Sequence, residues 1–260
     1  MPTYTTSDGA SLAYEDRGPR GGVALLFVHG WYGAGALWKL VIDELATRHR
    51  TIAVDVRGFA ASNAAPGPYD VDVFANDLSA LLAALDLDPL VVVGHSMGAK
   101  IAQRFAIDRP EAVEGLVLIA PVPAGAVDFG PQFAALLRAT AGDPEKTNLW
   151  LGMLTQREPP REIVALMRAA AATVASRVAL ESFESWSALD FESEARTIAT
   201  PTLVIAPDSD NPMTPEWVRE RVVDVIDDSR LEIVRESGHY VILEQPKAVA
   251  ALIAAFVDAL

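Results

Sequence analysis

The sequence predicts an α/β fold: a mostly parallel central sheet flanked by helices, with an inserted helical cap. Three observations predict it. First, short unbroken apolar runs (Val23–Val28, Thr51–Val54, Leu90–Val93, Val117–Ala120) alternate with helical patterns. Unbroken runs mark strands covered on both faces, and strand–helix alternation implies parallel pairing. Second, the run Val91–Val93 leads into Gly94-His95-Ser96-Met97-Gly98, after which Met97, Ile101 and Phe105 repeat at helical spacing. Third, the alternation stops near Pro121 and resumes only at Thr202. The stretch between has helical periodicity and is too long for a loop. The core is therefore expected at residues 1–121 and 200–260, and the cap at residues 122–199.

The elements follow in order. Thr3–Thr6 and Ser11–Glu15 flank the turn residues Asp8-Gly9, which suits an antiparallel hairpin at a sheet edge. Val23–Val28 ends in a glycine-rich loop, His29-Gly30-Trp31-Tyr32-Gly33-Ala34-Gly35. Trp38–Leu45 reads as a helix. Val71, Phe74, Leu78, Leu81, Leu82 and Leu85 share one face of another. Pro110 stops the helix that follows Ser96. Thr214-Pro215 is a cap-then-proline helix start, and Leu231–Val234 is the last strand. Pro246 opens the closing helix, whose apolar face carries Val249, Leu252, Ile253, Phe256, Val257 and Leu260.

Bulk properties narrow the function. A formal charge of −14 argues against a nucleic-acid partner and against docking on anionic membranes. The chain has 0 cysteines, which excludes disulfides, thiolate metal sites and a cysteine nucleophile. The first residues have neither the basic start nor the apolar core of a signal peptide. No apolar stretch approaches the roughly 18 residues that a membrane span needs. A cytoplasmic protein is expected, with no membrane partner.

Ser96 is the candidate nucleophile. A serine on a strand-to-helix turn projects its hydroxyl above the sheet, and the flanking glycines let strand and helix approach. The hydroxyl needs a base, and histidine suits that role. His49 lies between two arginines and reads as solvated. His95 adjoins the serine, so its side chain points away. His29 ends a buried strand and reads as a structural hydrogen-bonder. His239, in Glu236-Ser237-Gly238-His239-Tyr240 after the last strand, emerges at the carboxyl end of the sheet, where such folds bind ligands. It is the expected base. The orienting carboxylate is expected from Pro207-Asp208-Ser209-Asp210-Asn211-Pro212: Asp210, with Asp208 as the alternative. The oxyanion donors are expected to be the N–H groups of Met97 and Trp31.

These stretches together resemble the α/β-hydrolases of the esterase type. His29-Gly30-Trp31 resembles that family's oxyanion loop, and Trp38 the tryptophan that often follows it. Gly94-His95-Ser96-Met97-Gly98 matches its nucleophile elbow. Pro201–Ile205 with Asp210 resembles its strand-and-acid segment, and Gly238-His239 with Glu244-Gln245-Pro246 its histidine loop. There are departures. Ala60 stands where the family usually has a second glycine, which implies a differently shaped loop. The acid loop is one residue longer, through Asn211, which keeps Asp208 open. Ser96 is not an aspartate, so haloalkane dehalogenases and epoxide hydrolases are not implied. Tyr32 stands where cofactor-free perhydrolases tend to carry proline.

The function expected from these readings is cleavage of carboxylic esters through an acyl-enzyme on Ser96, without metal or cofactor, with a small-molecule ester as substrate. Trp31, Trp150, Met153 and Trp186, with Met167 and Phe183 also available, are the expected lining of an apolar acyl pocket; packing of the cap on the core is the alternative role for each. A lactonase and a carbon–carbon bond hydrolase use the same triad. A carrier-linked ester is a further alternative. The cap carries Arg138, Lys146, Arg157, Arg161, Arg168 and Arg177 against Asp143, Glu145, Glu158 and Glu162, a slight basic excess on an acidic protein. From another class, a non-catalytic binding module would be expected to lack part of the triad.

Overall fold

The computed structural model describes every residue except 88, 158 and 212. Its centre is an eight-stranded sheet in the order β1-β2-β4-β3-β5-β6-β7-β8. The strands are β1 (Thr3–Thr5), β2 (Ser11–Arg17), β3 (Ala24–Val28), β4 (Arg50–Val54), β5 (Leu90–His95), β6 (Val113–Ile119), β7 (Thr202–Pro207) and β8 (Ser229–Val234). β1 and β2 form the antiparallel edge hairpin, and β2 pairs antiparallel with β4. From β4 to β8 every pairing is parallel. Strands β3, β4 and β5 are buried along their whole length, as their unbroken apolar runs require. Edge strand β8 leaves Arg230, Glu232 and Ile233 exposed.

Helices cover the sheet: α1 (Lys39–Leu45), α2 (Val71–Leu85), α3 (Met97–Asp108), α9 (Pro215–Val218), α10 (Val241–Glu244) and α11 (Pro246–Val257). Their ends follow from local chemistry. Asp70 caps α2 by accepting from the Val73 N–H. Thr214 caps α9 by accepting from the Trp217 N–H, with Pro215 in the first turn. α3 stops at Asp108, ahead of Pro110. A sharp glycine bend is needed at Gly58 (φ 85°), and Ala60 beside it takes φ 45°, the left-handed region that glycine favours. The Ala60 N–H is held by Thr173 Oγ1 at 3.0 Å.

Between β6 and β7 lie helices α4 (Gly130–Arg138), α5 (Pro144–Met153), α6 (Arg161–Ala172), α7 (Ser176–Ala188) and α8 (Glu192–Ala195), with no strand among the described residues. The two ends of this insertion are tied together, Phe191 N–H to Ala124 O at 3.1 Å and Val127 N–H to Ser187 O at 2.8 Å. Lys100, buried on α3, donates to both ends, at Gly125 O (3.1 Å) and Leu189 O (2.5 Å). Burial pushes its amine down to about 7. Among the described residues, no single helix is long and apolar enough to cross a membrane.

Candidate active site

Ser96 alone makes the turn from β5 to α3, at φ 55° and ψ −120°. Such a backbone costs about 1–3 kcal/mol and persists only where its surroundings hold it. Here the Ser96 N–H donates to Ile119 O at 3.0 Å, and its carbonyl accepts from Ala99 N–H at 2.9 Å and Val122 N–H at 3.3 Å. The glycines are sterically required. A Cβ on Gly94 would lie 2.4 Å from Gly98 O, and one on Gly98 would lie 2.2 Å from Val28 O. Gly30 presses on the elbow from the β3 loop, where a Cβ would lie 2.9 Å from Ser96 Cβ. That approach brings the Trp31 amide beside the start of α3. Neither the Trp31 nor the Met97 N–H has an acceptor among the described residues.

The loop after β8 carries His239, whose Nδ1 lies 2.7 Å from Asp210 Oδ2. Both side chains are buried. The carboxylate accepts, so Nδ1 carries the proton and Nε2 is the basic atom of the ring. Asp208 takes no part. It is exposed, and its Oδ1 accepts from the Ser237 N–H at 3.3 Å and from Ser209 Oγ at 3.0 Å. Ser96 and His239 line the same cavity, with no hydrogen bond between their side chains among the described residues. Such bonds are often long before substrate binds.

The other histidines are accounted for. His29 Nε2 accepts from the Val56 N–H at 3.0 Å, so its Nδ1 donates to Gly30 O at 2.8 Å. Burial lowers its pKa, against the pull of Asp55. His49 is not the solvated side chain expected: its Nε2 is shielded and has no partner among the described residues. His95 has a role that adjacency to Ser96 concealed. Its Nε2–H donates to the His239 carbonyl at 2.8 Å, which braces the histidine loop from below. Burial, helped by His239, pushes its pKa down to about 3.

That shift has a signed consequence. The unfolded chain binds this proton first, near its ordinary 6.5, so the stability contributed by neutral His95 is present above that pH and is lost as pH falls toward 3. His95→Gln keeps an N–H donor and removes the titration. Its thermal midpoint is expected to fall less steeply than wild type's between about pH 6.5 and pH 4. Parallel curves would refute the assignment.

Above the serine, the cavity encloses about 550 Å³. Trp31, Trp150 and Trp186 line it as expected, joined by Phe129, Phe133, Leu137 and Leu154 of the insertion. The rings interlock edge to face: Phe133–Trp150 at 5.7 Å, Phe129–Trp186 at 5.8 Å and Trp31–Trp186 at 5.9 Å. The Trp31 indole also donates to Ala179 O and Ser182 Oγ of α7, both at 3.2 Å. Met153 is a correction. It is 62% exposed at the end of α5, where Leu151 is the residue turned inward, and it does not line the cavity.

A family model described as the alpha/beta hydrolase family matches residues 25–252. The chain belongs to this family. A putative non-heme chloroperoxidase of Synechocystis sp. is 30% identical to this hydrolase, over 92% of the chain and 93% of the relative. A non-heme chloroperoxidase of Streptomyces lividans is 39% identical over a stretch covering 47% of the chain and 45% of the relative. Among solved structures, an esterase from Exiguobacterium antarcticum superposes with a TM-score of 0.90 at 23% identity, over 98% of each chain. That last likeness concerns the fold of the hydrolase alone.

Proposed function

We propose that this hydrolase cleaves uncharged carboxylic esters through an acyl-enzyme on Ser96. The observation that carries the reading is the Asp210–His239 bond of 2.7 Å beside a serine held at the elbow, with Ser96 and His239 lining one cavity. Ser96 Oγ attacks the ester carbonyl while His239 Nε2 takes its proton. The oxyanion is held by the N–H groups of Met97 and Trp31. The C–O bond to the alcohol then breaks, and the imidazolium returns the proton to the departing alkoxide. Water enters, gives a proton to His239 and attacks the acyl carbon. The carboxylic acid leaves and Ser96 is restored. Asp210 keeps the ring in its working tautomer and stabilises the imidazolium throughout.

The cavity wall speaks to the acyl group. No lysine or arginine is among its described residues, and its upper part is aromatic and aliphatic. A carboxylate bound there would lose its water shell without gaining a counter-ion. The basic residues of the insertion are largely neutralised at the surface. Arg138 pairs with Glu184, Lys146 with Asp143, Arg157 with Glu236 and Arg177 with Glu181. This disfavours an acidic carrier; Glu158, one of the acidic residues counted there, lies outside the described residues. The names of the relatives raise hydrogen peroxide as a rival to water. Tyr32 argues for water: its φ of 58° is closed to proline, the residue that perhydrolases tend to carry there.

A panel of p-nitrophenyl esters tests the reading. The benzoate and butyrate are expected to turn over. The hemisuccinate, with its free carboxylate, is expected to be at least about 100-fold poorer in kcat/KM than the butyrate, some 2.7 kcal/mol in the transition state. Equal rates would remove the charge argument. Failure of a fluorophosphonate to label Ser96 in folded protein would favour a binding module instead.

A further inference from the structure

Glu244, at the end of α10, holds two segments at once. Its Oε1 accepts from the Gly238 N–H at 3.0 Å, next to His239. Its Oε2 accepts from the N–H groups of Gln156 (2.9 Å) and Arg157 (2.8 Å), in the link between α5 and α6 of the insertion. Bonds to an ionised acceptor are about twice as strong as neutral ones. The two segments also meet directly. The Tyr240 N–H points to Leu154 O at 3.4 Å, and the Arg157 guanidinium pairs with Glu236. Gly238 allows this approach, since a Cβ there would lie 2.8 Å from both Gln156 N and Leu154 O. Leu154 lines the cavity together with His239 and Tyr240.

We infer that Glu244 is a positioning residue: it latches the acyl-pocket wall at Leu154 to the His239 loop, so that the wall and the base move as one body. The inference rests on the reading of His239 as the base. An acyl group that fills the pocket against Leu154 then steadies His239 through the latch. The latch therefore acts on kcat, and more for a bulky acyl group than for acetate.

Two variants break the latch in different ways. Glu244→Gln cannot accept from both segments, because one end of its side chain becomes a donor. Gly238→Ala leaves Glu244 intact and wedges the segments apart. In the full-length protein, active sites are counted by end-point fluorophosphonate labelling, and kcat per labelled site is measured on p-nitrophenyl acetate and benzoate. Each variant is expected to lose about tenfold in kcat on the benzoate, within the range a small misplacement costs. The loss on acetate is smaller, KM stays within about twofold, and the labelled fraction is unchanged. The double variant is expected to be no worse than the poorer single one, because both break one contact. A lower labelled fraction with wild-type kcat per site means a merely structural bond and overturns the proposal. So does wild-type kcat in both variants while His239→Ala is inactive. If His239→Ala matches wild type, the base assignment itself has failed. Should either variant not fold, the other decides.

Discussion

Ser96→Ala is expected to lower kcat/KM on p-nitrophenyl esters by roughly 10⁴-fold or more, with little change in thermal midpoint. The two expectations have separate causes. The chemical loss is large because no second hydroxyl in the cavity has a base beside it: Ser96 is the only serine, threonine or tyrosine lining it other than Tyr240, among the described residues. Burial pushes the Tyr240 phenol above the range in which it would ionise. The fold is spared because the turn is held by main-chain bonds at residue 96, not by its hydroxyl. Alanine bears the same backbone strain as serine at φ 55°. The residual rate would come from the backbone donors and from binding. Turnover reduced by only a few fold would show that another group attacks the ester.

Asp210→Asn is expected to cost roughly 10⁴-fold in kcat, whereas Asp208→Asn stays within about threefold. An asparagine amide facing His239 Nδ1 donates a proton where the carboxylate accepted one. The ring then carries its hydrogen on Nε2 and has no lone pair for the serine. It also loses the negative charge that steadies the imidazolium. Asp208 binds through Oδ1 to the Ser237 N–H, a bond that an asparagine carbonyl reproduces. The pair of variants therefore isolates position from charge. A reversed outcome would move the acid to residue 208.

How much was legible in the sequence follows from how local each signal is. The strands and the elbow are readable because burial on both faces leaves unbroken apolar runs, and because Gly94 and Gly98 are dictated by contacts with neighbours close in the chain or directly opposite. Ser96, Asp210 and His239 were readable because each sits at the carboxyl end of a strand, where the fold gathers its ligands. The acyl wall was only partly so. Phe133, Leu137 and Leu154 read as bulk apolar residues of the insertion, and which of them faces the cavity depends on how helices α4 and α5 are rotated against the sheet. Met153 was misread for that reason: composition nominates a methionine, but the phase of α5 puts it outside. His95 and Glu244 were beyond sequence reasoning altogether. Their partners are main-chain atoms, a carbonyl at 239 and amides at 156, 157 and 238, and such partners leave no trace in residue identity.

An uncharged wall matters once more after the chemistry is over. The carboxylic acid released beside Ser96 ionises at neutral pH and then finds no lysine or arginine to pair with among the described residues around it. A carboxylate stranded among indole and phenyl rings is better solvated by bulk water. Product is thereby driven outward by its own ionisation, and the enzyme empties its pocket without any dedicated exit machinery.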